Sequence, residues 1–570
     1  MSPRPDDDRH PALLRLARAH GMLTEHEDGT GARRLPSEAA LLAVLRALGV
    51  DIERAGDAEA IEPPAAPLRL AGGAPAAFWT PRGPRRDLAV FAPAYALRRA
   101  GDAGVGDLGG LRRLADWAHG CGAPIVSTLP LVAGRYRTPV DGCPYAPTSR
   151  SVFGELFLDL SDDMSDGERI EADRLAGAEL IDYAAAWTLK RRVLARLAEH
   201  ASADDVVRVR QLVEGDPLVA EYARFRAQED GDPNAEWLYQ FAQWMVHEQL
   251  TAFGRDRLYL DLPVGVRPDG FDVARDPGLY ARGVTVGAPP DAYFPEGQDW
   301  SFPPILPDAA TGRGHAELIA AADRHLRYAA TLRLDHVMGF WRLYWIPEGF
   351  PPDRGVYVRY PADAQLDALA VLSHEREAVL IGENLGTVPP EVDAAMRERG
   401  LLGMAVAQYD AGRSALEPDE GKPAVIAAAN THDMPTFAGY LSGRDIEWRE
   451  ELGLLDRDAS RREHESRRAA IERIRIELGV DDAAGLYRRL MLRLCGSDAP
   501  MVVAALDDLL GETEPQNIPG VTDGYPCWRR RVARSIDELT HDERLASALR
   551  DMVAARTRAA IGNGGGIATR

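Results

Sequence analysis

The chain is nearly devoid of lysine. Lys190 and Lys422 are its only two, and arginine carries almost all of the positive charge. That argues against lysine Schiff-base chemistry. Cysteine is also scarce: Cys121, Cys143, Cys495 and Cys527 lie far apart, with no CxxC pair and no framework spacing. Such usage fits a reducing cytoplasm rather than a disulfide scaffold. No apolar run approaches membrane length, and the opening MSPRPDDDRHPALLRLARAHG lacks the uninterrupted apolar core of a secretion signal. Positive charge is outweighed, with a net charge of −21, which argues against nucleic acid or an anionic membrane as partner. Metal motifs are missing as well. Neither HExxH nor an EF-hand pattern occurs, and His374-Glu375 lacks a partner histidine.

What remains is a chain of 570 residues, 45% hydrophobic and 27% charged, long enough for a large domain with additions. Residues 1–61 read as a small helical unit: Ser37 is a candidate N-cap, and Leu41, Leu42, Leu45 and Leu48 keep helical spacing up to Gly49. Residues 62–86, rich in Pro, Ala and Gly, read as a linker or irregular cover. A βα alternation then begins and is expected to span 87–545, with a C-terminal helix end and flexible tail at 546–570. Between about 178 and 255 the pattern is helical, an expected insertion. Gly104-Val-Gly106-Asp-Leu-Gly109 matches GxGxxG, but the residues from Ala92 to Asp102 separate it from any strand. A glycine-rich βα loop accounts for it better than a dinucleotide site.

The chemistry centres on Thr331-Leu-Arg-Leu-Asp-His336. A short β-prone run ends in Asp335 and His336, and strand alternation points Arg333 and Asp335 to one face. An arginine there is expected to keep the carboxylate ionised, as a nucleophile requires. Alone, the segment fits a buried Arg–Asp pair equally well. Two further runs decide the matter: 378–381 delivers Glu383, and 424–429 delivers His432 and Asp433. The three carboxylates each follow an expected strand, at intervals of 48 and 50 residues. In a (β/α)8 barrel all strand C-termini face one side, so the three would converge there. The long loop 287–304 adds aromatics and polar groups stiffened by five prolines, the composition of a sugar site. Two carboxylates flanking a glycosidic acetal suit acid and nucleophile roles. A magnesium site, which would normally use a lysine or histidine base, is the competing chemistry, and no lysine lies near these strands.

Five segments carry a family resemblance: Leu332-Arg-Leu-Asp-His-Val-Met338, Ile381-Gly-Glu-Asn-Leu-Gly-Thr-Val-Pro389, Thr431-His-Asp433, Gly287-Ala-Pro-Pro-Asp291 and Asn517-Ile-Pro-Gly520. In this combination they resemble glycoside hydrolase family 77, the amylomaltase or 4-α-glucanotransferase family. Cys143-Pro-Tyr-Ala-Pro-Thr-Ser-Arg150 and Glu514-Pro-Gln-Asn-Ile-Pro-Gly520 are similar to its bacterial maltodextrin-metabolising branch. The resemblance implies a (β/α)8 TIM-type barrel with helical insertions and a retaining transfer of α-1,4-glucan segments between maltooligosaccharides, without cofactor or metal. It implies Asp335 as nucleophile, Glu383 as acid/base and Asp433 as transition-state stabiliser. Arg333, His336 and His432 would hold the reacting sugar; Tyr145, Asp291, Tyr293, Phe294, Gln298, Trp300 and Asn517 would line the subsites. Three departures stand out. Asn384 replaces a common aspartate, leaving an amide that can bind a hydroxyl. Cys143 replaces a common serine, and residues 62–86 are short for the β-domain of close relatives. An α-glucan hydrolase and a catalytically silent glucan-binding scaffold remain the alternatives.

Overall fold

The computed structural model describes residues 9–64, 76–81, 86–136, 140–291, 293–409, 422–521 and 523–563. Eight strands form one parallel sheet: β1 Asp87–Phe91, β2 Ile125–Ser127, β3 Leu258–Leu262, β4 Thr331–Leu334, β5 Val379–Gly382, β6 Gly403–Val406, β7 Val425–Ala428 and β8 Met501–Ala505. Their spatial order follows the chain, with β8 beside β1. Closure comes between β5 and β6, where the Gly382 N–H donates to the Leu402 carbonyl at 2.8 Å. The architecture is therefore a closed (β/α)8 barrel.

Alternation within each strand explains both layers of the core. Ala89, Ile125, Tyr259, Val379, Ile381, Ile426 and Met501 point inward and fill the barrel. Leu88, Val90, Val126, Leu258, Leu260, Leu332 and Leu380 point outward into the surrounding helical layer. The same parity sends Asp261 of β3 and Arg333 of β4 into the barrel, which has consequences for the site.

The strand at Thr331–Leu334 has the bounds expected from the sequence, and β5 and β7 differ from theirs by one residue at each end. The helix after Ser37 spans Glu38–Ala47, with the Ser37 hydroxyl accepting from the Ala40 N–H. Helices between β2 and β3 begin earlier than the periodicity suggested: Asp166–Ala176 precedes Tyr183–Glu199, Ala203–Gly215, Pro217–Glu229 and Glu236–Thr251. Lys190 is buried within this layer, donating to the carbonyls of Leu156 and Leu158 at 2.8 Å each. Its role is packing. The glycine-rich loop is likewise steric: a Cβ on Gly106 would lie 2.1 Å from the Ala94 carbonyl, and one on Gly109 2.0 Å from Asp159.

A second, antiparallel sheet of four strands runs Val356–Arg359, Arg342–Pro347, Val284–Ala288, Gln298–Asp299. The long loop 287–304 is thus a hairpin within this sheet, not wholly irregular. The helices Pro11–Ala19 and Glu38–Ala47 pack on its face, sharing a core of Leu13, Leu16, Leu41, Leu45, Val286 and Trp345. Within the expected linker, residues 65–75 and 82–85 lie outside the described residues, as do 564–570 of the tail. No helix among the described residues is long and apolar enough to cross a membrane.

Candidate active site

The site begins with strand register. Asp261 pairs with Arg333, and Arg333 with Ile381. One step of the same parity brings Asp335 beside Glu383, and the Glu383 N–H donates to the Leu334 carbonyl at 2.9 Å. Two carboxylates therefore leave adjacent parallel strands at the C-terminal mouth of the barrel. Adjacent strands lie about 4.8 Å apart, and the first residue past each of these two strands carries one carboxylate.

Arg333 organises this wall. Its Nη1 donates to both Asp261 oxygens at 2.8 and 2.9 Å, and its Nη2 lies 2.8 Å from Asp335 Oδ1. Burial disfavours its charge, but Asp261 and Asp335 more than offset that and keep it fully protonated. The expectation that Arg333 would hold Asp335 well ionised does not survive the packing. Burial pushes Asp335 up to about 7 against the pull of Arg333, and Asp261, Glu383 and Asp433 push the same way. The pull of a guanidinium that is also bonded to Asp261 does not outweigh the burial of Asp335.

Glu383 is buried and fixed at both oxygens, by the His336 N–H at 3.0 Å and the Leu385 N–H at 2.7 Å. Presenting that His336 amide requires a left-handed backbone, with φ 45° at a non-glycine residue, a conformation that stores about 1–3 kcal/mol. Burial lowers the His336 imidazole pKa, favouring the neutral ring. The Trp300 ring meets it edge-on at 5.0 Å.

The opposite wall comes from the loops after β2, β7 and β8. Asp433 accepts from the Asn517 amide at 2.7 Å. His432 Nε2 lies 3.1 Å from its other oxygen, an ion-pair contact rather than a well-angled hydrogen bond. Burial raises the Asp433 pKa, but His432, Asn517 and Arg333 overcome it and hold the carboxyl below its usual range. Tyr145 stacks on His432 at 4.9 Å and donates its hydroxyl to Asp261 at 2.6 Å, tying the two walls together.

This arrangement of three carboxylates on a barrel mouth meets a matching family signature. The family model described as 4-alpha-glucanotransferase, glycoside hydrolase family 77, matches residues 92–249 and 237–537. The chain belongs to this 4-alpha-glucanotransferase family. A 4-alpha-glucanotransferase of Mycobacterium tuberculosis is 31% identical, covering 91% of this chain and 94% of that protein. One of Haemophilus influenzae is 28% identical, over 79% and 76% respectively. The crystal structure of amylomaltase from Corynebacterium glutamicum superposes with a TM-score of 0.84 at 23% identity, covering 96% of this chain and 99% of that one. Amylomaltase from Streptococcus agalactiae in complex with acarbose gives 0.68 at 16%, covering 83% and 99%. The fold is shared throughout.

For a 4-alpha-glucanotransferase family member, the two substituted positions acquire physical explanations. Asn384 is bonded to the scaffold on both sides of its amide: the oxygen accepts from the Met404 N–H at 2.9 Å, and the NH2 donates to Asp393 at 2.8 Å. The expected hydroxyl-binding amide is thus committed to joining β5 and β6. Cys143 is a neutral thiol, its pKa pushed up to about 12 by burial. Along the hairpin, Asp291 Oδ1 accepts from the Tyr293 and Phe294 N–H groups at 2.7 and 2.6 Å. Tyr293 is 62% exposed. Phe294, Gln298 and Trp300 are half-buried. Among the described residues no cluster of three His, Cys, Asp or Glu could hold a metal ion.

Sequence reasoning missed Asp261, Gln516 and Trp528. Asp261 had a signal, being a lone charge at inward parity in an apolar strand. Gln516 donates to Asp507 and receives the Tyr95 hydroxyl, fixing the backbone before Asn517. Trp528, at φ 61°, lies 5.9 Å from His432; nothing local marks it.

Proposed function

We propose that this chain transfers α-1,4-glucan segments between maltooligosaccharides by double displacement, with Asp335 as nucleophile and Glu383 as acid/base. The observation that carries the reading is that Asp335 and Glu383 directly follow two paired strands, β4 and β5, whose ladder ends at Leu334 and Gly382, with the Glu383 N–H still bonded to the Leu334 carbonyl. Two carboxyls held on neighbouring strands fit the separation of about 5–5.5 Å that a retaining mechanism uses. An inverting enzyme would need room for a water between them.

In the first step an Asp335 oxygen attacks the anomeric carbon, and the bond to the 4-oxygen of the leaving glucan breaks. Glu383 gives its proton to that oxygen. A covalent ester remains on Asp335 and a carboxylate on Glu383. In the second step Glu383 takes the proton from the 4-hydroxyl of an acceptor glucan, whose oxygen displaces Asp335. Asp433, held ionised by His432 and Asn517, faces the developing positive charge and the hydroxyls of the reacting ring. Arg333 and Tyr145 keep the walls aligned, and no cofactor is needed because carboxylates supply every proton and electron pair.

Transfer prevails over hydrolysis when the acceptor side holds sugar better than water. Tyr293 and Phe294 offer ring faces for that, on a hairpin whose prolines limit the entropy lost on binding. We take the catalytic unit as residues 87–545, and infer a cytoplasmic setting from four unpaired cysteines. Incubation with maltotriose should give glucose and a ladder of longer maltodextrins, with little net gain of reducing ends. A steady rise of reducing ends without longer products would make the protein a hydrolase instead.

A further inference from the structure

The N-terminal segment contains a turn that does more than cap a domain. Asp28 has a fully buried side chain. Its Oδ1 accepts from the Thr30 N–H at 2.9 Å, the Thr30 hydroxyl at 2.6 Å and the Ala32 N–H at 3.0 Å, while its Oδ2 takes the Arg34 guanidinium at 2.6 Å. The Asp28 N–H also donates to the Ala32 carbonyl at 2.9 Å. Five bonds on one residue leave this turn a single geometry.

Its next residue grips the hairpin. The Gly29 N–H donates to the Pro290 carbonyl at 2.9 Å. A Cβ on Gly29 would stand 2.4 Å from the Asp291 Cβ and 3.0 Å from its Cα, so only glycine allows the approach. Asp291 in turn carries the amides of Tyr293 and Phe294. The unit is itself anchored by the Leu23 N–H on the Tyr357 carbonyl at 2.8 Å.

We infer that the Asp28–Ala32 turn, through Gly29, is a positioning element that sets the acceptor-side wall of the glucan cleft. The side follows from contacts. Trp300 of the hairpin packs on His336, whose amide holds Glu383, and the acid/base faces the leaving and accepting glucan. The inference rests on the transfer reading above.

The experiment uses α-maltotriosyl fluoride as donor with glucose as acceptor, in the full chain. Fluoride release reports glycosyl-enzyme formation; labelled glucose entering longer dextrins reports the acceptor step. Gly29→Ala should raise the KM for glucose about tenfold, since displacements near 1 Å cost up to ~10²-fold, and should leave the donor kcat/KM within about twofold. Thr30→Ala, at an exposed position that removes only one bond to Asp28, should raise the same KM about two- to threefold and keeps the test open if Gly29→Ala misfolds. An unchanged acceptor KM in Thr30→Ala, or equal loss of both readouts in Gly29→Ala, overturns the inference. Absence of transfer in the parent protein would instead overturn the proposed function.

Discussion

The two walls of the cleft are built by different physics. Asp261 and Arg333 stand on adjacent strands, Asp335 and Glu383 directly follow β4 and β5, and the barrel ladder sets where all four begin. Asp433, Asn517 and Tyr145 stand on the loops after β7, β8 and β2, and are aligned by the Asn517–Asp433 bond, the His432–Asp433 contact and the stacking of Tyr145 on His432. The first wall inherits the rigidity of a closed barrel. The second depends on each of its own contacts, so a single deletion there should loosen geometry rather than remove chemistry. The carboxyls reflect the contrast: Asp335 is raised to about 7, chiefly by burial and further by Asp261, Glu383 and Asp433, whereas Asp433 is lowered by its partners.

The sharpest break of this comparison is Glu383→Gln. It removes the proton carrier from the register-built wall while keeping an oxygen for one backbone amide, so the fold should persist. Maltotriose turnover should fall on the order of 10²–10⁴-fold with an unchanged melting temperature; activity within tenfold of the parent would remove Glu383 from its role. Asn517→Ala tests the loop-built wall. Asp433 loses an amide donor but remains present, and kcat should fall about tenfold to 10²-fold with little change in KM. A loss as large as that of Glu383→Gln would mean the loop wall is no more adjustable than the strands.

The smallest expected effect is a displacement of the pH profile. As the proposed nucleophile, Asp335 acts in its ionised form, so activity should fall as pH drops through its folded pKa of about 7. Asp261 is one cause of that elevation. Asp261→Asn should therefore move the acidic limb of kcat/KM to lower pH, and also free Arg333 for Asp335. Stability follows the same sign. A carboxyl raised above its unfolded value favours the fold at pH below that unfolded value, and the benefit fades as pH rises through the folded one. Asp261→Asn should flatten that loss. A limb moving to higher pH would show that the main effect of Asp261 is to hold Arg333 against Asp335.

Much of this was legible in the chain because strands are local. A β-prone run that ends in Asp335-His336 states its own boundaries, and period-two alternation states which side chains share a face. The same rule exposes Asp261 once β3 is known to lie beside β4, a neighbour relation that the run 258–262 does not itself contain. Asn384 shows the limit from the other direction. Its amide is a candidate for sugar binding by type and position, but Met404 of β6 and Asp393 of the preceding helix Pro390–Arg399 claim it.

What the sequence alone determined is the three strand-end carboxylates, Asp335, Glu383 and Asp433, and the chemistry those types permit, since each depends on a few consecutive residues. Tertiary structure decided which charges meet, how far burial lifts Asp335, and that Gly29 fastens a hairpin more than 250 residues away. Charge coupling and desolvation depend on distance in space, and only the closed barrel fixes those distances.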